Sequence, residues 1–90
     1  MTSSQRLSIV RRLVETWCLE REPQASSEEM TESILIRGGF YCGRRFHLGG
    51  YSAVWFAEED EIKLFDSQGQ LIDALTIEEF HATLEHRRAA

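Results

Sequence analysis

The chain lacks most of the features that would announce a chemistry. It has a single proline and two cysteines, and no apolar run approaching the ~20 residues that a membrane span requires. Arg6, Arg11 and Arg12 interrupt the N-terminal stretch where an export signal would need an apolar core. The cytoplasm is therefore the expected compartment. Cys18 and Cys42 are too few and too far apart for a zinc site and, in a reducing compartment, are expected to be small buried hydrophobes. No metal or other cofactor is expected.

Assembled catalytic sets are missing too. Both Gly-Gly pairs lie between strand-like segments, so neither opens a helix as a phosphate loop does. Cys42 and His47 are an odd number of residues apart, which sets them on opposite faces of a regular strand and argues against a nucleophile–base pair. Only a bulge at Gly43 would change that. His81 and Glu85 share a helical face but form at most half of a metal site. The acidic run Glu58–Glu61 lacks the alternating oxygen layout of a calcium loop and reads as a solvated hairpin tip. A net charge of −5 gives no global attraction to nucleic acid.

The most telling absence is local. Between Ser33 and Ala57 there is no Asp or Glu, although the chain has 15. Three of the ten basic residues and six of the nine aromatics fall in that window, so it carries +3 and the remainder −8.

What is present is one domain. Ninety residues should give a radius of gyration of about 12 Å and one modest core, since so short a chain buries only about 60–65% of its unfolded surface. The fold class is α+β: an N-terminal helix at 4–21, a connector at 22–32, a five-stranded antiparallel meander at 33–75 and a C-terminal helix at 77–88. Leu7, Val10, Val14 and Trp17 give the first helix its apolar stripe, Thr2 and Gln5 have capping-box spacing, and Pro23 ends it. Ser26 with Glu29 caps one further helical turn. The period then changes to two over 33–37, 40–48, 51–57, 61–66 and 70–75, with Gly38-Gly39 and Gly49-Gly50 as two-residue turns and Asp66–Gly69 as a glycine-bulged turn. Thr76 and Glu79 box the start of the last helix, whose stripe is Ile77, Phe80 and Leu84; Arg87 and Arg88 suit the negative pole at its end.

Turn positions set the register and the register sets the faces. Leu48 should oppose Tyr51, Phe46 Ala53, Arg44 Trp55, Leu35 Cys42, Lys63 Asp73 and Leu64 Ile72. One face then holds Ile34, Ile36, Tyr41, Val54, Phe56, Phe65, Leu71 and Leu75, with Arg45, His47 and Ser52 near its hairpin end. It is taken as the core beneath both helices. The other holds Leu35, Arg37, Phe40, Cys42, Arg44, Phe46, Tyr51, Trp55, Ile62 and Leu64.

That second face is too apolar to stay wet, and Arg, Trp and Tyr are the residue types enriched at binding hot spots. If one helix lay on each side, both faces would be consumed as core. Otherwise the expectation is a small non-enzymatic interaction module. It would use Arg37, Phe40, Arg44, Phe46, Tyr51 and Trp55 to bind a second copy or another protein's acidic or apolar surface, with Arg44 lying on the Trp55 ring. The alternative is single-stranded nucleic acid on that face, aromatics stacking bases and arginines meeting phosphates.

Overall fold

Thr2 caps α1 (Ser3–Arg21) as its spacing predicts: Gln5 N–H donates to Thr2 Oγ1 at 3.2 Å, and Thr2 N–H donates to Gln5 Oε1 at 2.8 Å. At the other end the Glu22 N–H donates to the Cys18 carbonyl, and the Arg21 guanidinium sits 4.2 Å from the centre of the Trp17 ring. A single 3₁₀ turn at Ser27–Glu29 follows, capped by Ser26. Five strands come next: β1 (Thr31–Arg37), β2 (Phe40–Leu48), β3 (Tyr51–Phe56), β4 (Glu61–Phe65) and β5 (Leu71–Thr76). They form one antiparallel sheet in sequence order. The Thr76–Glu79 box then starts α2 (Ile77–Ala89). This computed structural model describes residues 2–89, with the side chains of residue 2 and residues 4–86; those of Arg87 and Arg88 lie outside the described set.

The α+β fold is the expected one. The β2–β3 register also agrees, with Leu48 opposite Tyr51 and Arg44 opposite Trp55. Two bulges change the flanking registers. Leu35 pairs with Gly43 rather than Cys42, and Leu64 pairs with Asp73 rather than Ile72. In each case one residue, Cys42 or Ile72, is extra. The second bulge sets Lys63 opposite Ala74, so the expected Lys63–Asp73 pair does not form, and the Lys63 ammonium lies 5.4 Å from the Phe56 ring instead. The first has a visible cause. A Cβ on Gly43 would sit 1.7 Å from the Trp55 carbonyl oxygen, so glycine lets the backbone of β2 press against β3 where the strand bends.

Both helices lie on one side of the sheet, on the face opposite to the one expected. Val10, Leu13, Val14, Trp17 and Cys18 of α1 and Ile77, Phe80 and Leu84 of α2 join Phe46, Leu48, Ala53, Trp55, Ile62 and Leu64 in one core. The reason is which strands are central. On β2, β3 and β4 this face is apolar apart from Arg44 and the Tyr51 hydroxyl, whereas the other face places Arg45, His47, Ser52 and Lys63 there. Two short helices cover the middle of a sheet, so the isoleucines of edge strand β1 cannot decide the matter. Val54 is buried, yet it lies outside that core cluster, on the open side.

The radius of gyration is 12.7 Å, but the long axis reaches 40 Å. Elongation follows from the β1–β2 hairpin, whose last residues, 36–42, run past the end of β3.

Gly43→Ala is expected to lower stability by about 1–3 kcal/mol through overpacking against β3. The urea midpoint measures it; an unchanged midpoint would mean the close approach is not needed.

Candidate interaction surface

The six residues expected to share one face are divided between two environments. Phe46 and Trp55 are 0% and 1% exposed, in the core under the helices. Tyr51 is half-buried with its ring edge-on to Trp17 at 5.7 Å. Arg44 is turned to the same side. Arg37 and Phe40 alone are free of the core: they close the tip of the β1–β2 hairpin and project to the open side. The expectation of one exposed Arg/aromatic plateau is therefore corrected, because the helices occupy its centre.

Burial of Trp55 requires a partner for its indole N–H. Nε1 donates to Asp60 Oδ1 at 3.2 Å, and the other Asp60 oxygen meets the Arg6 guanidinium at 2.6 Å. Asp60 is held at φ 55° in the β3–β4 turn, a left-handed geometry that Asp tolerates better than most residues. This member of the acidic run is thus a structural link between turn, core and α1 rather than a solvated tip.

Arg44 does not lie on Trp55. Its Nη1 donates to Glu32 Oε2 at 2.9 Å, while Arg11 of α1 grips the same carboxylate through Nε at 2.7 Å and Nη2 at 2.9 Å. Its guanidinium lies over the Tyr41 ring, 6.0 Å from the centre, and Arg44 Nε is buried without an acceptor. The hydrogen bond from Arg11, then the charges of both arginines, hold the Glu32 carboxyl below its ordinary value against the opposing effect of burial. This triad fastens edge strand β1 to the helical layer.

Beyond the triad, the arm is bare and apolar. Ile34 is 55% exposed, Ile36 54%, Phe40 77% and Tyr41 49%. The first bulge determines their sides. Ile34 and Ile36 stand in the rows of Arg44 and Tyr41, on the helix-bearing side but past the helices, whereas Leu35 and Arg37 face the open side. Sequence reasoning missed this group because it placed Ile34, Ile36 and Tyr41 in the core; the usable signal was that β1 and β2 run beyond the shorter β3. Between the arm and the end of β3, Arg37, Phe40, Cys42, Phe56, Glu58 and Glu59 border a hollow of about 180 Å³. The Arg37 guanidinium lies 5.6 Å from the Phe56 ring there. Arg45 and Lys63 extend the cationic character across the open face.

Cys18 is buried as expected, but Cys42, carried outward on the bulge, is only partly buried, and its thiol donates to the Phe40 carbonyl at 3.5 Å. His47 lies four residues beyond Gly43 on the same strand, roughly 13 Å along it, so it forms no dyad with Cys42. Burial pushes the Cys18 thiol up to about 11, which leaves it unreactive. His81 and Glu85 are an exposed pair at 3.8 Å. Among the described residues no three His, Cys, Asp or Glu side chains gather as a metal site would require, and no helix is long and apolar enough to cross a membrane. No protein-family model matches the chain, and no curated protein or solved structure matches it either.

A lowered Glu32 pKa gives stability that is present above the ordinary glutamate value and is lost as pH falls through the folded one. The urea midpoint should therefore drop on acidification below about pH 4.3, and Glu32→Gln should flatten that dependence. At neutral pH the same variant should lose about 1–3 kcal/mol, because two arginines lose a charged acceptor. Identical acid limbs in both proteins would show that the triad contributes nothing.

Proposed function

We propose that this chain is a small non-enzymatic interaction module that associates with protein through the projecting β1–β2 hairpin, its partner being a second copy of the chain. The observation that carries the reading is the concentration of Ile34, Ile36, Phe40 and Tyr41, all about half exposed or more, on one arm that neither helix covers. Monomers rarely leave this much large apolar side chain gathered in water without a use for it. The acid-free window adds to this, since the arm carries no uncompensated negative charge: Glu32 is already held by Arg11 and Arg44.

Light scattering across a rising concentration series tests the reading. The wild-type mass should climb from the 10.4 kDa of one chain toward twice that value, and Ile34→Lys/Ile36→Lys should stay at one chain while keeping its fold. A wild-type protein that remains at one chain into the hundreds of micromolar overturns self-association. Trp55→Ala is the wrong probe, because emptying a core site of this size costs about 3–5 kcal/mol and tests folding instead.

A second reading has its own support. Arg37, Arg45 and Lys63 share the open face with the half-buried rings of Phe56 and Phe65, a combination suited to a single nucleic-acid strand. Both tryptophans are buried in the core, so anisotropy of a labelled oligonucleotide is the appropriate measurement. Three phosphate contacts predict a slope of log K against log salt of about −2, and Lys63→Glu should abolish binding. Absence of binding at low salt removes this alternative.

A further inference from the structure

The two edges of the sheet are not equivalent. On β5 the bulge at Ile72 interrupts the ladder, a charged Asp73 sits at mid-strand, and the Asp73 carboxylate takes the neighbouring Ala74 N–H at 2.9 Å. These are the devices by which edge strands are kept from pairing with other chains. Edge strand β1, Thr-Glu-Ser-Ile-Leu-Ile-Arg, has none of them. It contains no proline or lysine, the extra residue of its bulge belongs to β2, and its one acid is turned to the helix side and neutralised.

The hairpin turn tells which backbone groups of β1 are unpaired. Gly38 and Gly39, at φ 55° and 82°, form a two-residue turn, whose closing pair Arg37–Phe40 exchanges both hydrogen bonds. Alternation then points Leu35 and Ser33 toward β2, and directs the N–H and C=O of Glu32, Ile34 and Ile36 outward.

We infer that two copies join edge to edge through β1, antiparallel about a two-fold axis at Leu35, to make one continuous ten-stranded sheet. This rests on the self-association proposed above and specifies its geometry. With Leu35 facing its own counterpart, Ile34 faces Ile36, Ile36 faces Ile34 and Ser33 faces Arg37. Every exposed apolar residue of the strand meets another, and the outward Ile34 and Ile36 groups become doubly bonded pairs. Moving the axis one residue back, to Ile34, would set Ile36 against Glu32. Moving it on toward Arg37 would bring the two guanidinium groups together, whereas the Leu35 register keeps the Arg37 pair roughly 13 Å apart. The helices of both copies then lie on one side, and Ile34, Ile36 and Tyr41 of each form a shared apolar floor between them.

At the axis the Leu35 pair is of the non-hydrogen-bonded type, with Cα atoms about 4.5 Å apart, inside the about 4.4–6.8 Å that a disulfide spans. In a Cys42→Ser background, with Cys18 left in place because it is fully buried, single cysteines at 34, 35 and 36 are oxidised and run on non-reducing gels. Leu35→Cys should cross-link at least about tenfold faster than Ile34→Cys or Ile36→Cys, since the latter two Cα pairs are farther apart than a disulfide allows. A mixture of Ser33→Cys and Arg37→Cys should link while neither alone does, which covers the case of a Leu35 variant that folds poorly. Dimeric mass without a Leu35 link or a mixed 33–37 link overturns this register and leaves self-association standing. A single-chain mass at all concentrations overturns both.

Discussion

Two short helices seal only the middle of a five-stranded sheet, and the burial of Trp55 determines which side that is. Its ring lies in a row with Ile62 and Leu75, beside Phe46, Ala53 and Leu64 in the next row. Its N–H is satisfied by a carboxylate that also holds α1 through Arg6. Burying one large aromatic contributes about 1.5–3 kcal/mol, against a total of about 5–15 kcal/mol for a domain. No arrangement that left Trp55 in water could be recovered by covering the edge-strand isoleucines, because the opposite face has charged and hydroxylated residues on its central strands. The orientation of the molecule, and hence the identity of its exposed surfaces, follows from that comparison.

The Glu32 triad has the complementary task at the sheet's margin. β1 has little helix above it, and Arg11 supplies a link from α1 beside the ladder and the Arg44 bond that join β1 to β2. A half-buried carboxylate shared by two arginines is a short and directional tether, and it consumes the only acid on the strand. Holding β1 rigidly in the sheet while leaving its outer edge unprotected is the combination that edge pairing requires, because a frayed strand would have to be ordered again at each encounter.

Features that depend on a few neighbouring residues were legible in the chain. The capping boxes at Thr2 and Thr76, the two-residue glycine turns and the β2–β3 register all follow from local geometry, and each is present. The bulges were not legible, because their cause is at long range: Gly43 is extruded toward the Trp55 carbonyl, and nothing within a few residues of it reports on Trp55. The side taken by the helices was misread for a similar reason. Counting apolar residues per face weights Ile34, Ile36 and Leu71 equally with Phe46 and Ile62, although only the latter are buried beneath the helices. The exposed arm is the remainder of that error, and the residues supposed to form the core turn out to be the ones left uncovered.

Seen through the topology, the acid-free window marks an arrangement rather than a motif. β1, β2 and β3 are neighbours, and the acidic residues other than Glu32 lie on the helices, the connections, β5 and the first residue of β4. A protein of net charge −5 repels its own kind, but the repulsion decays over about 8 Å at physiological ionic strength. What matters at a seam is therefore the charge within that distance of it. Along β1 this amounts to Arg37 and a Glu32 already shared by two arginines, so approach of a second β1 meets no acidic barrier. The opposite edge presents Asp73 at mid-strand and meets one. The asymmetry of charge thus reinforces the asymmetry of hydrogen-bonding capacity, and both favour the same strand.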